Sequence, residues 1–300
     1  MSEDPQWPRA SDWLAAGGAP DGRHLVVVGV PCARSSISLS RADLTPAAVR
    51  AALRRYSTFD ADLDVDLEAL RVTDAGDLPV ADLAGEVLID AVERGLRALP
   101  RADLVVLVGG DNALTRPAAR ALLPDLSRAG LLTLDAHHDV RGFHDGPTNG
   151  TPVRGLVEDG LPGGHVVQVG LGSLTNSRAY RRWCDDRGVT VVTAAQARRQ
   201  GVATTVRAAL DELAGRCDAV HVDLDVDVVD AAFVPGCPGA RPGGLMPWEL
   251  LDVAAEAGRH PAVVSVDLTE VDAGGDEGGR TVDLTAALLL RVAAGLASRS

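Results

Sequence analysis

The sequence predicts an α/β fold, a mostly parallel sheet with helices on both faces. Short apolar, β-branched runs alternate with segments of helical period along the whole chain. The runs are continuous rather than alternating, as expected of strands buried on both faces. The densest groupings of Asp, His and Glu all fall where such runs end, and that is where sites form in parallel sheets.

Residues 1–23 are rich in Pro, Gly and Asp and read as a surface arm ahead of a single catalytic domain over 24–300. HLVVVGV (24–30) is a buried strand closed by Pro31. Thr45-Pro46 marks a helix start, an N-cap followed by proline at the first helical position, and the helix runs through AAVRAALRRY. LRVTDAGDLP (70–79) is a short strand and turn, and 80–99 has helical period. LVVLVGG (104–110) is a strand leading into Asp111-Asn112, with a helix over 115–123. GLLTLDAH (130–137), HVVQVGLG (165–172), VTVVTA (189–194), 218–228 and AVVSVDLTE (262–270) complete the strands. The remaining helices span 177–187, 202–214, 247–258 and 282–298.

A chain of 300 residues with 46% hydrophobic content can bury a large core. Its net charge of −13 argues against nucleic acid or an anionic membrane as partner. All 29 basic residues are arginine, which removes Schiff-base and P-loop lysine chemistry. Cys32, Cys184, Cys217 and Cys237 show no CxxC spacing, so neither a zinc ribbon nor a disulfide framework is indicated. The first residues contain no apolar signal core, and no run approaches membrane-spanning length. A soluble cytoplasmic protein is the expectation.

Two stretches carry chemistry. LLTLDAHHDVRGFHDGPTNGTPVR (131–154) holds Asp135, His137 and Asp139, and VHVDLDVDVVDAAFVP (220–235) holds Asp223, Asp225, Asp227 and Asp230. Side chains two apart on an extended segment share a side, so Asp135/His137/Asp139 form one row and Asp225/Asp227 a second. Carboxylates so crowded are costly to bury unless a cation neutralises them. An oxygen-rich set with an imidazole suits Mn²⁺, with Zn²⁺, Ni²⁺ or Fe²⁺ as alternatives. A carboxylate-bridged metal pair lowers the pKa of bound water, which points to hydrolysis. Any one of these aspartates alone is better read as a helix cap or turn residue. It is their convergence that favours a metal site.

Competing motifs fail. No GxSxG elbow occurs, and the GxG at Gly170 and Gly172 meets Thr175 where a dinucleotide fingerprint needs glycine. His24, His165 and His260 have no spacing signal, and His221 reads as a packed strand residue.

With these residues in view, the chain resembles the ureohydrolases, the family of arginase, agmatinase and formimidoylglutamase. DAHHD (135–139) matches their D-A-H-x-D signature, and DVDVVDAAFVPG (225–236) their D-x-D-x-x-D-P-x-F-x-P-G signature, with Ala231 at the usual proline. GVP (29–31), TPAAVR (45–50), DAGD (74–77), GGD (109–111) and EVD (270–272) match weaker signatures in order, so the resemblance covers nearly the whole chain. It implies a three-layer α/β/α sandwich, the arginase-like fold, assembled as a homo-oligomer. GPTNGTPVRGL (146–156) and PGCPGARPGG (235–244) look most like formimidoylglutamase, since the other two usually carry His-Gly where Asn149-Gly150 stands.

The resemblance implies two Mn²⁺ bridged by Asp135 and Asp225, with His137 and Asp227 completing one site and Asp139 the other. Glu270 would hold an amidinium head, and Asp139 would move a proton to the leaving amine. Asn149 and Thr151 would line the pocket. Arg141 and Arg154 would suit the carboxylates of a small anionic, amino-acid-derived substrate. One position departs: where the family has histidine this chain has Asn112, whose amide oxygen is a weaker ligand than imidazole and implies a weaker or missing second metal. The expected activity is hydrolysis of N-formimidoyl-L-glutamate to L-glutamate and formamide, a step of histidine degradation. The alternatives are urea release from a guanidino acid or agmatine, a catalytically degenerate member with a binding role, and a mononuclear deacetylase.

Overall fold

A computed structural model describes residues 4, 6–144 and 146–299. The strands are β1 (His24–Val30), β2 (Phe59–Asp60), β3 (Val65–Asp66), β4 (Arg71–Asp77), β5 (Leu104–Gly109), β6 (Ala129–Leu134), β7 (Val166–Leu171), β8 (Thr190–Thr193), β9 (Ala219–Asp225) and β10 (Val263–Thr269). The helices are α1 (Ala10–Ala16), α2 (Thr45–Ala52), α3 (Gly85–Arg97), α4 (Thr115–Leu122), α5 (Pro152–Glu158), α6 (Arg178–Asp185), α7 (Ala194–Gln200), α8 (Val202–Ala214), α9 (Pro247–Arg259) and α10 (Arg280–Ala297).

Eight strands form one sheet in the order β4-β1-β5-β10-β9-β6-β7-β8, and every neighbouring pair is parallel. β2 and β3 form a separate short hairpin. Alternation along β1 shows the layering: Leu25 and Val27 pack into one core with α1, α2 and α7–α10, while Val26, Val28 and Val30 pack into another with α3 and α4. A third core, under α4–α6, covers the far end of that second face. The six inner strands are thus buried on both sides, which is why their sequences are largely apolar, whereas the edge strands β4 and β8 are partly exposed. α10, pressed against α9, is buried along most of its length.

The amino-terminal segment is more than an arm. Residues 1–3 and 5, like Asp145 and Ser300, lie outside the described residues, but α1 sends Ala10, Trp13 and Leu14 into the main core. Gly17 and Ala19 then hydrogen-bond with Val72 and Leu70 beside the edge strand β4. This covers part of an edge that would otherwise offer unpaired backbone groups. The composition masked it because one buried indole fixes a helix otherwise rich in alanine.

Candidate metal centre and substrate cleft

The site lies beyond the carboxyl ends of the four adjacent strands β5, β10, β9 and β6. The expected extended row at 135–139 does not occur on a strand: β6 ends at Leu134, and Asp135, His137 and Asp139 sit in the loop that follows. Convergence comes from loop geometry instead. The Ala136 carbonyl accepts from Thr175 Oγ1 (2.7 Å) and Asn176 Nδ2 (2.8 Å), and the His138 carbonyl accepts from Gln168 Nε2 (2.9 Å). Asp139 adopts a φ of +53°, a left-handed conformation uncommon outside glycine that turns the chain at this carboxylate. On the second stretch Asp225 is the last residue of β9, and Asp227 lies in the tight turn after it. The Asp225 carboxylate accepts from the Asp227 amide at 2.7 Å, so one side chain braces the other.

Two sets of side chains offer donor atoms within 4.8 Å of one another: Asp135, His137 and Asp227, and Asp135, Asp139 and Asp225. Asp135 is common to both, the arrangement a bridging carboxylate requires. Buried carboxylates with one imidazole fit a pair of hard or borderline divalent cations. The charge balance supports the same reading. Burial and the charge of Asp227 push Asp135 up to about 7. Burial and neighbouring carboxylates likewise hold Asp139 and Asp225 well above the usual range. Asp227 is the exception: burial would raise it, but the hydrogen bond and charge of His137, Nδ1 to Oδ2 at 2.6 Å, pull it down. Burial works against the His137 cation, yet Asp135 and Asp227 raise it to about 11.

Asn112 opens the turn after Asp111, and in this structure it turns its amide nitrogen to the carboxylates. Its Nδ2 donates to Asp139 Oδ2 (2.8 Å) and Asp225 Oδ2 (3.2 Å). Gly110 is needed just before it, since a Cβ there would stand 1.7 Å from the Cys32 carbonyl oxygen. Glu270 follows β10 with a φ of +62°, and its Oε1 accepts from the Asn112 backbone N–H (2.8 Å) and Asn149 Nδ2 (3.0 Å). Burial and then Asp111 push Glu270 up to about 8.

Above this base lies a cleft of about 150 Å³, lined by His137, Asp139, Asp225, Asp227 and Glu270 together with Arg141, Asn149, Tyr180 and Arg241. Two expected pocket residues are elsewhere. The Thr151 hydroxyl is buried, closing a turn onto the Thr148 carbonyl at 2.8 Å. Arg154 donates from Nε to the Val140 carbonyl (2.9 Å) and lies over the Trp183 ring, so it braces the loop after β6 and is not among the residues lining the cleft. Conversely, Tyr180, Asn176 and Arg241 were not singled out from the sequence. Arg241 sits within the PGCPGARPGG stretch, which was a signal, but the α6 residue Tyr180 had none. His221 is fully buried and hydrogen-bonded to Ser265 and Asp267, as a packed strand residue.

The arginase family model matches residues 23–295. A formimidoylglutamase from Halalkalibacterium halodurans is 35% identical over 256 residues, covering 82% of this chain and 79% of that protein. The crystal structure of formimidoylglutamase from Bacillus subtilis superposes with a TM-score of 0.91 at 29% identity, over 99% of this chain and 94% of the other. That of Trypanosoma cruzi formiminoglutamase with Mn²⁺ gives a TM-score of 0.87 at 25% identity, over 98% and 100%. On this match and these similarities, the chain belongs to the arginase family, whose members it most resembles being formimidoylglutamases.

Proposed function

We propose that this chain hydrolyses N-formimidoyl-L-glutamate to L-glutamate and formamide, with two Mn²⁺ held by Asp135, His137, Asp139, Asp225 and Asp227. The carrying observation is the polarity of the cleft. Its base is acidic, while Arg141 and Arg241 stand on its walls and make no ion pair with a carboxylate among the described residues. Arg241 donates one nitrogen to the Pro238 and Ala240 carbonyls, which leaves the rest of its fork available. A ligand with an amidine head and two carboxylates offers a partner to both the acidic and the basic lining groups, whereas cationic agmatine would leave the arginines unpaired.

The cations would supply Lewis acidity and an activated water at neutral pH. The chain's own residues do the remainder. Glu270, fixed by Asn112 and Asn149, accepts hydrogen bonds from the formimidoyl head and orients its carbon. Arg141 and Arg241 hold the glutamate carboxylates. Water adds to the formimidoyl carbon, the bond from that carbon to the glutamate nitrogen breaks, and Asp139 delivers the proton released by the water to the departing amine.

The test is turnover by Mn²⁺-loaded protein of formimidoylglutamate, a guanidino acid and agmatine in parallel. Formamide and glutamate from the first substrate alone is the expected result. Urea from either of the others, with formimidoylglutamate untouched, overturns the assignment.

A further inference from the structure

Beneath the carboxylates, a buried hydrogen-bonded chain runs from Asn112 through Thr115 and Asp267 to His221. Thr115 Oγ1 lies against Asn112 Oδ1 and is 2.9 Å from Asp267 Oδ2. Asp267 Oδ2 in turn is 3.0 Å from His221 Nε2, and His221 Nδ1 is 2.7 Å from Ser265 Oγ. Asn112, Thr115, Asp267 and His221 are all buried, so no solvent relieves a mismatch among them.

The chain contains one. A threonine hydroxyl has a single proton, yet Thr115 faces two acceptors, Asn112 Oδ1 and Asp267 Oδ2. With the amide as it stands, one of these two contacts brings two oxygens together with no proton between them, even where Asp267 Oδ2 accepts from His221 Nε2. Rotating the Asn112 amide by half a turn removes the conflict: its NH₂ donates to Thr115 Oγ1, and Thr115 donates to Asp267. The rotation also places Oδ1 where Nδ2 now meets Asp139 Oδ2 and Asp225 Oδ2. Three oxygens facing one another there are unfavourable unless a cation lies between them.

We propose that Asn112 is a cation-responsive amide, with Thr115 and Asp267 as positioning residues that stabilise its oxygen-inward orientation. Without a cation, its NH₂ cross-links Asp139 and Asp225 and offsets their repulsion. With one, it presents Oδ1 as a ligand, and the Thr115–Asp267–His221 chain absorbs the released NH₂. This rests on the metal-site reading above. It makes the second cation's affinity depend on residues that touch neither metal nor substrate.

The test is Mn²⁺ stoichiometry and stepwise affinity by titration calorimetry on full-length wild type, Thr115→Val, Thr115→Ser and Asp267→Asn. Valine fills the threonine volume but cannot accept from the amide. The Asp267→Asn change puts an NH₂ where a carboxylate oxygen stood. That group can donate to Thr115 Oγ1, which turns the hydroxyl proton back to Asn112 Oδ1 and holds the Asn112 nitrogen inward. The expected result is two Mn²⁺ in wild type, with the weaker site lowered about 10–100-fold in Thr115→Val and Asp267→Asn, the stronger site unchanged, and Thr115→Ser restored towards wild type. Thermal melts without metal check folding, and the Asp267 variant reads the same chain if Thr115→Val does not fold. Two Mn²⁺ bound equally well by either folded variant overturns the proposal while leaving the metal site intact. One Mn²⁺ in wild type overturns it as well, because Asn112 is then no ligand. No Mn²⁺ in wild type sinks the metal reading itself.

Discussion

The two halves of the acidic base share Asp135 but are balanced differently. On one side His137 supplies a positive partner, and Asp227 is held below the usual carboxylate range despite its burial. On the other, Asp139 and Asp225 have only the neutral Asn112 amide between them, and both stay well above it. An imidazolium can stand in for a missing cation, whereas an amide only softens the repulsion. The His137 half therefore carries its own positive partner, and the Asn112 half has none among the residues that face it.

The largest effect is expected from removing what the halves share. Asp135→Asn should cost both cation sites and reduce turnover by more than the roughly 10–100-fold typical of partners outside the ligand set, measured as metal content and kcat/KM on one sample. A loss confined to one site would show that Asp135 does not bridge. Glu270→Gln, which spares the ligand set, should lower kcat about 10²–10³-fold with metal content unchanged, in the range seen when one preorganised electrostatic partner is removed. Unchanged kcat would move the substrate head elsewhere in the cleft.

Arg241→Met touches neither half. Losing a charge-assisted hydrogen bond of about 1.5–3 kcal/mol should raise KM about tenfold to a hundredfold with little change in kcat. A fall in kcat at constant KM would argue for a role at the reacting atoms.

The smallest effect is on the pH dependence of metal-free stability. Glu270 is raised from an ordinary 4.5 to about 8, and His137 from 6.5 to about 11. A raised group stabilises the fold fully below its unfolded pKa and loses that contribution as pH climbs through its folded pKa. The metal-free melting temperature should then fall between about pH 5 and 9, and Mn²⁺ should flatten the decline, because cation in place of proton balances the same carboxylates. A metal-free melting temperature that rises over this window would refute the charge assignment.

Much of this was legible because a strand's period and a ligand's chemistry are local. β1 and α8 occupy the residues that apolar patterning predicted, while α2 begins at Thr45 without the expected cap: Thr45 is already helical after the turn at 42–44, and its hydroxyl donates to the Val271 carbonyl instead. α5, α7 and the β2–β3 hairpin went unread, being short segments whose pattern is too brief to separate from loop. In the site, Asp135, His137, Asp139, Asp225, Asp227 and Glu270 were found from residue type and position at strand ends. The reasoning about alternation on a strand named residues that do converge, but by the wrong geometry, since the loop after β6 places them.

The sequence by itself determined the layered parallel sheet, the acidic base and its place, because burial on both faces and crowded carboxylates leave a mark on every residue involved. Only the tertiary structure decided the neighbours of those residues. It turned Arg154 onto Trp183 and away from the cleft, brought Tyr180 and Arg241 to its walls, seated Trp13 in the core, and set Thr115 between two acceptors beneath Asn112. Each of these depends on contacts between residues far apart in the chain, and side-chain direction at such contacts is set by packing rather than by local pattern.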